Sequence, residues 1–199
     1  GKYRFEFFPL KDVSKTKNLE DFVEEMKSLY PNATGMPVVQ LEAGKIVKNS
    51  FMKAFVISIS FLILFIFLVF RNFLFLFLCL LSLLIASILT IFIMIIFNLQ
   101  FNFANMIALP LLYSLGVSYP IYFLKRFNEF NKVDNVIMSS TPKAIIFSAA
   151  TTTASFATLA LSGHNGTSSM GIILFISMTM NLFSSIIILP MIIKNFNFK

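Results

Sequence analysis

From Ala54 onward the sequence is a succession of long apolar runs that contain no charged residue. A helix needs roughly 20 apolar residues to cross the hydrocarbon core of a bilayer. Five runs approach this length, and they cover residues 51–70, 73–97, 103–124, 144–161 and 171–193. Only Arg71 and Asn72 separate the first two runs, which together are too long for one span, so the chain must turn there. The sequence therefore predicts an all-α polytopic membrane protein with five transmembrane helices in a domain of residues 51–199.

Residues 1–50 read differently, as part of an ordinary soluble domain. Residues 2–8 alternate between apolar and charged side chains, which predicts a strand with one buried face. An apolar stripe at helical spacing follows in residues 19–29, and residues 37–41 are a candidate second strand. So few elements cannot bury a core alone. We therefore expect the end of an α+β periplasmic domain and a linker helix, within a fragment of a longer protein.

The basic residues predict the orientation of the spans. With five spans, every Lys and Arg after Ala54 falls on one side of the membrane, and the loops at 98–102 and 162–170 carry none. The positive-inside rule makes that side cytoplasmic. The N-terminal segment is then outside and the C-terminus is cytoplasmic. This topology accounts for the net charge of +7, so we predict no nucleic-acid partner.

Polar and small residues inside the spans mark the helices that should contact others. The fourth span is rich in Ala, Ser and Thr, which predicts a helix buried against its neighbours, with hydroxyls that bond across helices. The third span holds Pro110, Gly116 and Pro120, which predict a kink. Asn181 in the fifth span needs a hydrogen-bonding partner on another helix. The second span is almost entirely Phe, Leu and Ile, and we expect it to face lipid.

The sequence gives no indication of an enzyme. No Asp, Glu, Lys, Arg or His lies in the middle of a span, whereas proton-driven pumps usually need an intramembrane ionisable group. No phosphate loop, His–Glu metal motif or Ser–His–Asp set is visible. The single Cys79 excludes a disulfide within the chain. We therefore expect no catalytic residues, no cofactor and no metal site.

Several blocks of sequence, in order, resemble the resistance-nodulation-division (RND) transporter superfamily. Those around the third span resemble the central helix of these transporters, and they lie at 102–105, 107–110, 116–119 and 125–126. A second set lies at 148–156, 159–162, 166–171 and 189–190, and the entry at 33–38 resembles the link from porter domain to membrane. The most similar branch is the lipid-exporting one, which includes hopanoid-biosynthesis-associated transporters and mycobacterial-type large membrane proteins.

The resemblance implies an architecture of two similar halves in a bacterial inner membrane. Each half of such a transporter has one span, a large outer domain and five further spans, and transport machinery lies where the halves meet. This chain resembles the C-terminal half. The implied partners are membrane lipids and the N-terminal half of the same protein, while a homo-oligomer or a periplasmic partner is left open.

One position departs from the family pattern. The family commonly has Asp directly after Gly-Val in the kinked span, as part of a proton relay, and this chain has Ser118 there. A serine cannot carry a net charge at physiological pH. The missing half could carry the acid, coupling could be lost, or the protein could act without a proton gradient, as the related sterol-sensing domains do.

The function expected from this resemblance is export of lipids or other hydrophobic compounds, driven by protons through the other half. The residues expected in the transport path or at the relay position are Gly116, Ser118, Tyr119, Thr151, Thr152 and Asn181. All of them except Gly116 are expected as polar contacts at the half–half interface. A non-transporting lipid-sensing or sterol-sensing module is the alternative from another class. A protein-translocation auxiliary of the same superfamily is the third.

Overall fold

The computed structural model describes residues 5–13, 16–99 and 108–196. It divides the chain into two compact units, Gly1–Ser50 and Phe51–Lys199. The described elements are all helical, in the order α1 (Thr16–Leu29), α2 (Met36–Phe70), α3 (Phe73–Ile96), α4 (Ala108–Gly116), α5 (Ser118–Phe130), α6 (Val133–Met138), α7 (Thr141–Ala160), α8 (Asn165–Phe183), a π-helical turn (Ser184–Ile188) and α9 (Leu189–Asn195).

The first unit is built on contacts between α1 and the first turns of α2. Leu19 and Val23 of α1 are buried against Leu41 of α2. Outside this small core, Lys27 forms an ion pair with Glu42. The face of α1 that carries the predicted apolar stripe is therefore the face that packs against α2.

Both strand predictions in this unit are wrong over the residues that the structure describes. Residues 5–8 are not in a strand, and residues 2–4 of that prediction lie outside the described ranges. Residues 37–41 belong to α2. Pro37 is the second residue of that helix, where its missing N–H removes no helical hydrogen bond. Helical spacing then lets Val38 and Leu41 pack together against α1. The α+β expectation for residues 1–50 has no strand to support it here.

The turn predicted at Arg71 is confirmed. Helix α2 ends at Phe70, Arg71 takes a left-handed conformation with φ of 49°, and α3 begins at Phe73. The side chain of Asn72 caps α3 by accepting a hydrogen bond from the backbone N–H of Leu74 at 2.8 Å. This cap satisfies one of the N–H groups that a helix start leaves without a partner.

The prediction that the second span faces lipid is wrong for one face of α3. That face is buried at helical spacing, by Phe75, Leu78, Cys79, Ser82, Leu83, Ala86, Thr90 and Met94. It packs against α5, α8 and the π-helical turn. The other face, with Phe77, Leu84, Ile88 and Phe92, is exposed, so α3 is a central helix with one buried and one exposed side.

The third predicted span is divided in the described residues. Helix α4 ends at Gly116 and α5 begins at Ser118. Pro120 has no N–H to donate to the carbonyl of Gly116 four residues earlier, which removes one helical hydrogen bond at this point. Residues 103–107 of the prediction lie outside the described ranges.

The fourth and fifth predicted spans form the closest helix pair of the second unit, α7 and α8. A Cβ added to Gly171 of α8 would lie 2.4 Å from the backbone nitrogen of Ala160 in α7. The hydroxyl of Ser168 donates a hydrogen bond to the carbonyl of Ala160 at 2.7 Å. His164 caps α8 by accepting a hydrogen bond from the N–H of Thr167 at 3.4 Å.

Only part of α7 is buried, however, in contrast to the prediction that its neighbours enclose it. Its buried residues are Pro142, Ile145 and Ala149. Four of its hydroxyl groups bond to carbonyls of the preceding turn, as Thr151 does to Ser148 at 2.8 Å and Ser155 to Thr151 at 2.9 Å, and of these Thr152 also interacts with Tyr119 of α5. Such back-bonding satisfies a hydroxyl without any partner helix.

Three of the helical stretches in the described residues are long and apolar enough to cross a bilayer: Met36–Phe70, Phe73–Ile96 and Asn165–Asn195. The chain is thus a multi-pass membrane protein. Two predicted spans are not among the three, because the third is divided at Val117 and the fourth is rich in Ala, Ser and Thr. The count of five stays a prediction.

Candidate functional site: a buried polar cluster

A close contact between Gly116 and Asn181 joins the break in the third predicted span to α8. A Cβ added to Gly116 would lie 1.6 Å from Nδ2 of Asn181 and 2.8 Å from its Cγ. Both residues are buried. Only glycine leaves room for the carboxamide at this point, so Gly116 in α4 and Asn181 in α8 depend on each other.

Three serines extend this contact toward α3. The hydroxyl of Ser82 lies 3.1 Å from that of Ser184 and 3.4 Å from that of Ser185. Ser184 also donates to the backbone carbonyl of Ser82 at 2.8 Å. Ser185 donates to Oδ1 of Asn181 at 3.4 Å. These bonds form one buried polar cluster of Ser82, Asn181, Ser184 and Ser185.

The π-helical turn Ser184–Ile188, which directly follows α8, places Ser184 and Ser185 in this cluster. A π-helical turn inserts one extra residue into an α-helix, and such turns are frequent at functional sites. Ser184 and Ser185 are both fully buried. The backbone irregularity therefore coincides with the polar residues rather than with the apolar remainder of the fifth predicted span.

One hydrogen-bond donor in the cluster has no acceptor. Nδ2 of Asn181 is buried without a partner in the part of the chain that the structure describes. An unpaired buried donor of this kind costs about 1–3 kcal/mol. The cluster is thus polar but not fully satisfied, and an unpaired group of this kind is costly in a low-dielectric interior.

Tyr119 continues the polar path from the break toward α7. Its side chain is buried, its hydroxyl lies 4.0 Å from the sulfur of Met178 on α8, and it interacts with the side chain of Thr152 on α7. Thr152 also donates to the carbonyl of Ser148 at 3.0 Å. Tyr119 therefore contacts two of the helices that adjoin α5.

Two of the predicted site residues lie apart from this cluster. Ser118 is half-buried, and its hydroxyl donates to the carbonyl of Leu115 at 2.9 Å within its own chain segment. Thr151 is exposed on α7. The structure thus brings Gly116 to Asn181 and Tyr119 to Thr152, while Ser118 and Thr151 face outward from this unit.

Ser82 is the member of the cluster that the sequence reasoning missed. It lies in the helix expected to face lipid, within a run of Phe, Leu and Ile. A signal was present, since Cys79, Ser82, Ala86 and Thr90 are small or polar residues of that helix that recur at helical spacing. All four are buried.

The chemistry available to this cluster is limited to neutral hydrogen bonding. Hydroxyl and carboxamide groups can exchange partners, but none of them takes up a net charge at physiological pH. In the residues that the structure describes, no group of three or more His, Cys, Asp or Glu is placed to hold a metal ion. The cluster can act in a helix rearrangement rather than in bond chemistry.

Comparison with known proteins places this arrangement in a family. The model of the MMPL family matches residues 11–196. The chain is 33% identical over 190 residues to the hopanoid transporter HpnN of Rhodopseudomonas palustris (strain TIE-1), covering 96% of the chain and 22% of that relative. It is 32% identical over 181 residues to the hopanoid transporter HpnN of Burkholderia multivorans (strain ATCC 17616 / 249), covering 91% of the chain and 20% of that relative.

The chain spans about a fifth of the length of these curated relatives. The family match, in contrast, extends over nearly all of the chain and includes the break at Val117, the α7–α8 pair and every residue of the buried polar cluster. The chain belongs to the MMPL family.

Proposed function

We propose that the chain is the membrane part of one half of an RND-type exporter of lipids or other hydrophobic compounds, with a hopanoid-like molecule as its substrate. The observation that carries the proposal is the 33% identity to a hopanoid transporter over 96% of the chain. The uncharged interior of the helices agrees with a cargo that partitions into the bilayer.

In this proposal the chain crosses a bacterial inner membrane five times. The divided helix α4–α5 and the polar helix α7 supply the two spans beyond the three long apolar ones. Irregular or polar segments at membrane depth are tolerated where protein covers them. The N-terminal segment then lies in the periplasm and the C-terminus in the cytoplasm, as the one-sided Lys and Arg residues favour.

The second half of the same protein is the proposed partner, and the exposed hydroxyl face of α7 is the surface that it covers. Ser148, Thr151, Ser155 and Thr158 lie on this face. Thr151, Ser155 and Thr158 each donate to a backbone carbonyl of the same helix, so these three hydroxyls need no partner on another helix. Small and hydroxyl residues also permit close helix approach in membranes.

Energy coupling is assigned to that other half. The buried polar cluster has no acid or base, and the position where the family commonly carries Asp is Ser118. We propose that protonation in the partner half moves its helices, and that the Gly116–Asn181 contact transmits the movement to α3 and α8. A cluster with an unpaired donor is suited to alternate between two packings.

The test is export by the full-length protein in a bacterial host that makes hopanoids and lacks its own transporter for them. We expect the wild-type gene to restore hopanoids to the outer membrane, measured by mass spectrometry of separated membranes. An Asn variant of the intramembrane carboxylate in the other half should abolish this transfer. Wild-type protein that is inserted and stable but leaves outer-membrane hopanoids at background would refute export and favour the lipid-sensing alternative.

A further inference from the structure

A cavity of about 450 Å³ lies between α5 and the start of α7. Its α5 side is lined by Tyr119, Tyr122, Lys125, Arg126 and Glu129. Two cations against one carboxylate leave this wall with a net charge of +1. Lys125 has no ion pair in the part of the chain that the structure describes.

The other wall of the cavity adds uncharged hydrogen-bonding groups and an apolar surface. Ser140, Thr141 and Ser148 supply hydroxyls, while Ala144 and Ile145 supply apolar contacts. A ligand that fits both walls has an anionic, oxygen-rich part and an adjoining apolar part. Those are the properties of a phospholipid at the level of its phosphate and glycerol.

Arg126 gives an independent indication of an anionic ligand. Its Nη1 donates to Oε2 of Glu129 at 2.6 Å, and its guanidinium lies 4.3 Å from the centre of the Phe130 ring. These contacts fix the guanidinium, yet its Nε is buried without an acceptor among the described residues. A buried donor without an acceptor is rare in folded proteins, and phosphate oxygens are preferred acceptors for a guanidinium.

The position in the sequence also suits a headgroup. Lys125 and Arg126 follow directly after the apolar run 103–124, so they lie where a span leaves the hydrocarbon. Tyr122 is exposed there, and tyrosines are enriched at the membrane–water interface. Basic pockets between transmembrane helices bind anionic headgroups in the same way.

We propose that this cavity binds the phosphate of an anionic phospholipid, with Lys125 and Arg126 as its cationic ligands. The site holds a structural or regulatory lipid, distinct from an exported hydrophobe, and the inference does not depend on transport activity. Lipid bound here would join α5 to α7 and would contact Tyr119.

The experiment uses the full-length protein in a neutral detergent and measures binding by thermophoresis. The probes are dioctanoyl phosphatidylglycerol, dioctanoyl phosphatidylcholine and inorganic phosphate. We expect phosphatidylglycerol to bind at concentrations where the other two do not. Lys125→Gln and Arg126→Gln should each weaken that binding about tenfold, as loss of a charge-assisted hydrogen bond predicts.

Two variants keep the result interpretable. Lys132→Gln removes an exposed cation that does not line the cavity and should leave binding unchanged. Lys125→Gln preserves the Arg126–Glu129 pair, so it tests the site even where Arg126→Gln impairs folding. Equal binding of phosphatidylcholine, equal binding of inorganic phosphate, or full affinity in Lys125→Gln would each overturn the proposal.

Discussion

The carboxamide of Asn181 occupies the space in which a side chain at position 116 would lie, since only 1.6 Å separates its Nδ2 from an ideal Cβ on Gly116. The two residues are 65 positions apart in the sequence. Each lies at or close to a point where the α-helical geometry of its own helix is interrupted. Helix α4 ends at Gly116, and the π-helical turn begins three residues after Asn181. This contact therefore couples the two least regular points of the described helices.

Gly116→Ala should destabilise the protein because the added methyl group overlaps the Asn181 side chain. Overpacking of this kind costs about 1–3 kcal/mol. The detergent-solubilised full-length protein is heated to a series of temperatures and then analysed by size-exclusion chromatography. We expect the temperature at which half of the monodisperse peak is lost to be lower for the variant than for wild type. Gly163→Ala is the matched control, because nothing lies within 4 Å of a Cβ there.

A second substitution checks the cause of that destabilisation. Asn181→Ala combined with Gly116→Ala removes the carboxamide that the new methyl group would meet, so the double variant should be more stable than the sum of the single effects. Strictly additive effects would show that the two side chains do not compete for one space.

Gly171→Ala should destabilise the packing of α7 on α8, by at least as much as Gly116→Ala destabilises the protein. Its new Cβ would meet backbone atoms, 2.4 Å from the nitrogen of Ala160 and 2.7 Å from the carbonyl carbon of Leu159. Backbone cannot rotate away as a side chain can, so the helices must separate. The same heating assay, again with Gly163→Ala as the control, checks this, and an unchanged profile would contradict the close packing of α7 on α8.

The Ser82–Ser184 bond should appear as a coupling between the two residues in a double-mutant cycle. Ser82→Ala and Ser184→Ala each remove a partner of a buried hydroxyl, which costs about 1 kcal/mol, and their combination should cost less than the sum. Denaturation by SDS in mixed micelles measures these differences. Ser60→Ala should be near neutral, because Ser60 is exposed and its hydroxyl bonds only to Val56 at 2.9 Å within its own helix.

Asn181→Leu should separate stability from function. Leucine has a similar size and removes the unpaired buried donor at Nδ2, so we expect stability within about 1 kcal/mol of wild type. On the proposed function, export should nevertheless fall strongly, because the hydrogen bond to Ser185 and the capacity to exchange partners are lost. Outer-membrane hopanoid content at equal protein level is the measurement, and wild-type export by this variant would exclude the polar cluster from the mechanism.

The sequence by itself determined the features that depend on local composition. The hydrophobic length of the runs determined which segments are apolar helices. It also determined the turn at Arg71–Asn72, because the two runs that these residues separate are together too long for one span. Gly116 and Pro120 indicated where the third run would be interrupted, and Asn181 was identified as a residue in need of a partner. Each of these follows from chain geometry or from the cost of burying a polar group, which requires no knowledge of neighbours.

Only the tertiary structure decided which faces meet. Hydropathy cannot distinguish a helix face that meets lipid from one that meets protein, since both are apolar, and Ser82 was therefore missed in α3. The hydroxyls of α7 could bond to another helix or to their own carbonyls, and packing left that face open. Among the described residues, the predicted strands near the N-terminus have no partner for a ladder, whereas Val38 and Leu41 at helical spacing pack against α1. In each case the deciding term was a contact with residues far away in the chain, which periodicity alone does not specify.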